Sequence, residues 1–416
     1  MRMDSCSRIR HSLGCLYLST LLLLTVTISC SAQEYKNECN RSPALQSIFK
    51  YPVGNDKPAD ISWVHEQKQE LGTTPEFAGS CNSNSMQPQP AVAQARIEPV
   101  KDKYLLIEGV RLHYVEAGSG RPLVLLHGND GSLEDFTLSI FDKLAERYRV
   151  IVFDRPGHGE SKMNLDKPVT AEDQARIVHK ALQELGIKQP LLVAHSWSGA
   201  LALSYALQFS DDVCAIVLLG GMAFETEDAE PKASYFAVQL PLIGSLAAGT
   251  FRLTGRKNIV RQLEAAFTPD PAPQPYVDSF LDRLFKTSQL KAAARDEISL
   301  NPSLRRMSVH YGEIDVPLII VYGDRDQTVP AENHSLPLHR VVPDSRLIVI
   351  HNAGHELQFT RPDEVLKAIA IAFDTASSRR QFHDIQSSLL ENSGLSKLNE
   401  PNQAGKNFHF RRLPER

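Results

Sequence analysis

The sequence predicts an α/β protein, a mostly parallel, doubly wound sheet with a helical segment inserted after its sixth strand. Three observations predict it. Short aliphatic runs recur between residues 104 and 350, and most are continuous rather than alternating, as strands covered on both faces require. Helix-forming stretches separate them. One interval, between residues 219 and 318, carries no clear strand pattern but several helix-like stretches. Of the 416 residues, 42% are hydrophobic and 23% charged, which suffices to bury a core and excludes a wholly disordered or fibrous chain. Lys+Arg 45 against Asp+Glu 49 leaves no basic excess, so a nucleic-acid partner is not expected. Six cysteines are too few for a disulfide framework.

The elements follow in order. Residues 104–107 and 112–116, separated by Gly109, read as an antiparallel pair, and 123–126, 150–154, 191–194, 215–219, 318–321 and 347–350 continue the sheet. Cys214, beside the sixth of these runs, reads as core. Thr170 caps a helix over 171–185, with acidic residues in its first turn and Gly186 after its end. Further helices are expected over 198–209, 259–267, 277–285 and 361–375, the last opened by Pro362, whose missing N–H costs nothing there. The domain plan is a sheet core in two parts, 101–221 and 312–376, with a lid over 222–311 between them. In the lid, Tyr235, Phe236, Val238, Leu240, Leu242, Ile243 and Leu246 form an apolar stretch suited either to lining a pocket or to docking the lid.

The ends have a different character. Arg2, Arg8 and Arg10 precede an apolar run over 13–28, followed by Ser29, Cys30, Ser31 and Ala32, the layout of a signal peptide over 1–32. Export to a periplasmic or extracellular compartment is expected. The alternatives are lipid attachment at Cys30 or an uncleaved signal anchor, so any membrane attachment would run through this segment alone. Residues 33–100 are broken by prolines and by a Ser, Asn, Gln and Pro-rich stretch, and read as a low-order linker. Within it Cys39 and Cys81 either pair in an oxidising compartment or stay free. Residues 377–416 read as a flexible tail.

Four segments at strand C-termini carry the chemistry, where open parallel sheets bind ligands. Val193-Ala194-His195-Ser196-Trp197-Ser198-Gly199 runs from a strand straight into a helix, and a turn this sharp needs small residues two away from Ser196. Ala194 and Ser198 meet that need. His127-Gly128-Asn129 ends an earlier strand, so that the N–H groups of Asn129 and Trp197 are candidates for an oxyanion hole. Gly323-Asp324-Arg325-Asp326 offers a carboxylate, and His351-Asn352-Ala353-Gly354-His355 an imidazole. No phosphate loop is present, and neither a metal nor a cofactor is expected.

Taken together with Asp154-Arg155-Pro156-Gly157-His158-Gly159-Glu160-Ser161, these segments resemble the α/β-hydrolase superfamily over roughly residues 104–375. The resemblance implies Ser196 as nucleophile, His355 as general base and Asp326, three after Gly323, as the acid that orients it. Asp324 is then a turn-former or a partner of Arg325. His127, Gly128, Gly157 and Gly159 are structural parts of the motifs, and His158 is a loop residue rather than a catalyst. Haloalkane dehalogenases and soluble epoxide hydrolases carry Asp at the nucleophile position. Serine there implies an acyl-enzyme and, first among substrates, a small or medium apolar carboxylic ester. A lactone or C–C bond hydrolase is the alternative, as is a non-catalytic binding protein on the same scaffold.

Overall fold

Eight strands form one sheet in the spatial order β1-β2-β4-β3-β5-β6-β7-β8. The computed structural model describes residues 100–163, 169–226, 233–239 and 255–392. The signal-peptide segment, nearly all of the linker with Cys39 and Cys81, and residues 393–416 lie outside the described residues. The strands are β1 Lys103–Ile107, β2 Val110–Ala117, β3 Pro122–Leu126, β4 Arg149–Phe153, β5 Leu191–His195, β6 Ala215–Leu219, β7 Leu318–Gly323 and β8 Ser345–Ile350. Each coincides with an expected run. Only β2 runs against its neighbours, pairing antiparallel with β1 and β4, and every later pairing is parallel.

The central strands are apolar except at Arg149, which opens β4, and His195, which ends β5, because helices cover both faces. Val124 and Leu126 enter one core and Leu123 and Leu125 the other, as the two-residue period of a strand dictates. On the first face lie α3 Ala171–Glu184 and α4 Ser198–Gln208. On the second lie α1 Glu134–Thr137, α2 Phe141–Ala145 and α11 Pro362–Asn392. The start of α3 is a capping box. Thr170 Oγ1 accepts from the Asp173 N–H at 3.2 Å while Asp173 Oδ2 accepts from the Thr170 N–H at 3.2 Å, an arrangement worth about 1 kcal/mol. Cys214 precedes β6, half-buried, with its thiol pKa pushed up by burial.

Between β6 and β7 stand α5 Ala233–Gln239, α6 Arg256–Phe267, α7 Gln274–Leu284 and α8 Thr287–Ser308. They hold a small core of their own, with Ile259, Leu263, Phe267, Tyr276, Phe280, Leu281 and Leu284, and Phe359 of the body packs against it. In the apolar stretch, Phe236 is 51% exposed and Tyr235 and Val238 are half-buried, whereas Leu240, Leu242, Ile243 and Leu246 lie outside the described residues. After β7 come α9 Ser335–Val341 and α10 Leu357–Thr360.

One boundary differs from expectation. Helix α11 does not end at Thr375 but continues to Asn392, so residues 377–392 are helical rather than a structureless tail. No Gly or Pro interrupts the chain between Pro362 and Gly394. The serine-rich turn there is compatible with helix because Thr375, Ser377 and Ser378 donate their hydroxyls to carbonyls four residues back, at 2.8, 2.8 and 3.0 Å. Arg121 Nη1 on Ser377 Oγ (3.1 Å) and Arg379 on Asp344 (3.0 Å) tie this part to the body.

Candidate active site

Ser196 stands between β5 and α4 with φ +54°, a left-handed conformation that costs a residue with a Cβ about 1–3 kcal/mol. Three main-chain bonds hold it there. Its N–H donates to Leu219 O at 3.0 Å, and its carbonyl accepts from Gly199 N (2.9 Å) and Met222 N (3.0 Å). The N-terminus of α4, with its partial positive charge, is thereby directed at the serine. Across from it, a Cβ at Gly128 would lie 3.0 Å from Ser196 Cβ and 3.5 Å from its Oγ, so glycine lets the turn after β3 come this close without crowding the serine.

The candidate acid and base come from the turns after β7 and β8. His355 Nδ1 lies 2.7 Å from Asp326 Oδ2, and both residues are buried. The other carboxylate oxygen of Asp326 accepts from the N–H groups of Thr328 and Val329, each at 2.9 Å. Gly220 (φ +52°) faces this pair, and a Cβ there would sit 3.0 Å from both Asp326 Oδ2 and His355 Nδ1. The His355 N–H donates to Ala266 O of α6 at 2.8 Å, so the inserted helices touch the base directly. Burial by itself would depress the His355 pKa, but the Asp326 carboxylate, assisted by Glu356, outweighs it and holds the imidazole above its ordinary value. Asp324 is placed differently. It takes the His351 ring at 3.0 Å and the Asn352 N–H at 2.8 Å, with Arg325 only at 3.9 Å, and does not meet His355.

The remaining motif residues form a buried polar scaffold. His127 Nε2 accepts the Arg155 N–H at 2.9 Å, which leaves Nδ1 protonated to donate to Gly128 O at 2.8 Å. Burial, then the Arg155 charge, keep this imidazole well below its ordinary pKa and hence neutral. Gly159 (φ +53°) lies against Asp154, whose carboxylate would collide with any Cβ there at 2.1 Å, while Gly157 turns the chain at φ +87°. His158 is more than a loop residue. It is fully buried, with Nε2 2.9 Å from Asp296 Oδ2 and Nδ1 accepting from Gln289 Nε2 at 3.0 Å, both partners on α8. Among the described residues neither the Asn129 nor the Trp197 N–H donates to a backbone carbonyl. The Asn129 side chain donates to Glu297 at 2.6 Å.

Arg155 was singled out by no sequence signal beyond its place in a motif, yet it occupies the centre of this scaffold at 0% exposure. Its guanidinium donates to His127 O, Gly128 O, Gln174 and Asp296 and lies 4.3 Å from the Trp197 ring centroid. Two buried acids were also missed. Glu356 and Asp135 are raised to about 7 and about 8, chiefly by burial, with Asp135 pushed further by Glu356. Tyr276 of α7 donates to Asp135 at 3.2 Å and Gln358 to Glu356 at 2.7 Å. His195, His355 and Glu356 are the one group of potential metal ligands among the described residues. Two of them are already engaged, His355 with Asp326 and His195 Nε2 with His355 O at 3.3 Å.

This constellation on this sheet defines a class. Residues 121–362 match the family model described as the alpha/beta hydrolase fold, and the chain belongs to that family and is a hydrolase. Among characterised relatives, it is 24% identical over 254 residues to Lipase 1 of Psychrobacter immobilis, covering 60% of this chain and 76% of the lipase. It is 27% identical over 280 residues to 2-hydroxy-6-oxo-6-phenylhexa-2,4-dienoate hydrolase of Comamonas testosteroni, covering 63% and 90%. The structure is similar in fold to an esterase from Thermogutta terrifontis, at TM-score 0.54 and 19% identity, covering 66% and 99% of the two chains. No helix of the described residues is long and apolar enough to cross a membrane.

Proposed function

We propose that this chain is an exported serine hydrolase of carboxylic esters, working through an acyl-enzyme on Ser196 with His355 and Asp326 as base and acid. One observation carries the reading: the buried 2.7 Å contact of His355 Nδ1 with Asp326, at the same C-terminal end of the strands where the left-handed turn presents Ser196. Ser196 Oγ attacks the ester carbonyl carbon and its proton passes to His355 Nε2, with Asp326 stabilising the imidazolium. The carbonyl oxygen becomes an anion facing the Asn129 and Trp197 N–H groups. As the C–O bond breaks, the leaving alcohol takes the proton back from His355. Water then attacks the acyl-enzyme by the same route, releasing the carboxylic acid and restoring the Ser196 hydroxyl.

A small or medium apolar substrate is the reading of the stretch around Tyr235 and Val238, and each step above runs on protein groups and water. Labelling with a fluorophosphonate followed by peptide mapping tests the nucleophile, with Ser196 as the expected site. A nitrophenyl ester series of graded chain length tests the substrate. Preference for acetate with steep loss beyond butyrate counts against an apolar pocket, and turnover of a vinylogous diketone in place of esters would favour C–C hydrolysis. For export, the mass of the mature N-terminus is expected to match cleavage after Ala32, whereas an intact precursor free in the cytoplasm rejects it.

A further inference from the structure

A Cβ at Gly128 would press on Ser196 Cβ at 3.0 Å, tighter than ordinary packing, and the glycine that stands there carries the least conformational restraint of any residue. The peptide that follows it is the one whose N–H belongs to Asn129. Something outside the loop must therefore fix its orientation. The Gly128 carbonyl is gripped by Arg155 Nη2 at 2.9 Å and by His127 Nδ1 at 2.8 Å. A trans peptide is planar with C=O and N–H on opposite sides, so holding the carbonyl turns the Asn129 N–H the other way. The Ser196–Trp197 peptide is held in the same manner, its carbonyl taken by Gly199 N and Met222 N.

Arg155 reaches both. Beyond Gly128 O, its Nε donates to His127 O at 3.0 Å, and its guanidinium carbon lies 4.3 Å from the Trp197 ring centroid. Its own place is set by Asp296 of α8, at 2.6 Å, and by Gln174, at 2.9 Å. Asp296 also receives the Trp197 indole N–H on its main-chain oxygen at 3.2 Å. Only a planar fork with several donors can serve these acceptors at once.

We propose that Arg155 is a positioning residue for the oxyanion hole, orienting the Gly128–Asn129 peptide and bracing Trp197, and that Asp296 of the inserted helix holds it in register. This rests on the serine-hydrolase reading above. The positive guanidinium on Gly128 O also polarises that amide and strengthens the Asn129 N–H as a donor.

The test uses the full chain and the variant Arg155→Lys, which keeps the charge beside Asp296 but loses the fork. The extent of fluorophosphonate labelling at saturation counts folded, competent sites, while the labelling rate and kcat report the hole. Full labelling is expected, with kcat lowered about 10²-fold, the order of loss that misplacing a group near the chemistry produces. KM stays within a few-fold. A trifluoromethyl ketone, whose serine adduct is an alkoxide, loses affinity in step with kcat. The acid limb of the pH–rate profile does not move, because Arg155 touches neither His355 nor Asp326. A fully labelled variant with wild-type kcat and ketone affinity overturns the proposal. Should Arg155→Lys fail to fold, Asp296→Asn keeps the main-chain acceptor for Trp197 and an oxygen for Arg155. It is expected to lower kcat and ketone affinity in the same direction by a smaller factor, and no change in either overturns the proposal. An unlabelled wild-type enzyme instead removes the serine-hydrolase reading itself.

Discussion

The sheet body and the inserted helices meet at the same site by different means. The body supplies Ser196, Asp326 and His355 from the turns after β5, β7 and β8, and each turn is fixed by short main-chain bonds and by glycines that admit close approach. The insertion supplies buried polar groups: Asp296 on Arg155 and His158, Gln289 on the turns after β3 and β4, and the Ala266 carbonyl on the His355 N–H. The difference teaches a division of labour. The body carries the proposed reacting groups, and the insertion ties down the loops around them.

That comparison orders the expected effects. The largest belong to the body. Ser196→Ala should cost on the order of 10⁶ in turnover, His355→Ala about as much, and the double variant little more, because the two act as a unit. Single-turnover rates on a nitrophenyl ester would check this, and additive losses would separate the pair. Next comes the contrast within one turn. Asp326→Asn should cost about 10⁴ in kcat through the wrong imidazole tautomer, while Asp324→Asn should be mild. A severe Asp324→Asn defect beside an active, folded Asp326→Asn enzyme would transfer the acid role.

Changes in the insertion should be milder and of another kind. Gln289 is buried and serves Asp130 O, Gly131 O, His158 Nδ1 and the Gly159 N–H. Gln289→Leu strands those groups and should lower stability by about 1–3 kcal/mol, read from the denaturant midpoint, with Ser196 still labelled. If stability is unchanged, the insertion is not held as described.

The smallest effect is electrostatic. On the proposed mechanism the reacting form of His355 is neutral, and its pKa is raised, so activity should fall as pH drops through a value above 6.5. Burial opposes this rise, while Asp326 and Glu356 cause it. Glu356→Gln removes one of the two charges and should move the acid limb of kcat/KM to lower pH. A limb that stays or moves upward would sink the assignment of Glu356 as a contributor.

The central strands were legible because a strand buried on both faces writes itself as an unbroken aliphatic run, whereas β1 and β2, with exposed positions, were legible as a pair split by Gly109. The nucleophile turn was legible because small residues must flank Ser196 within two positions. Helix α8 was not picked out, since Pro302 lies inside it and proline ordinarily ends a helix. The length of α11 was missed because a run of Ser and Arg reads as solvated chain until its hydroxyls are seen bonded to their own helix. The sequence by itself determined the sheet and the order of serine, acid and histidine, since apolar runs, turn residues and spacing are local properties. Only the tertiary structure decided that His158 is a buried tie and that Arg155 finds Asp296, 141 residues away, beneath the turn of Asn129. Polar contacts between distant segments leave no period in the chain. They exist only once burial has removed water as the competing partner.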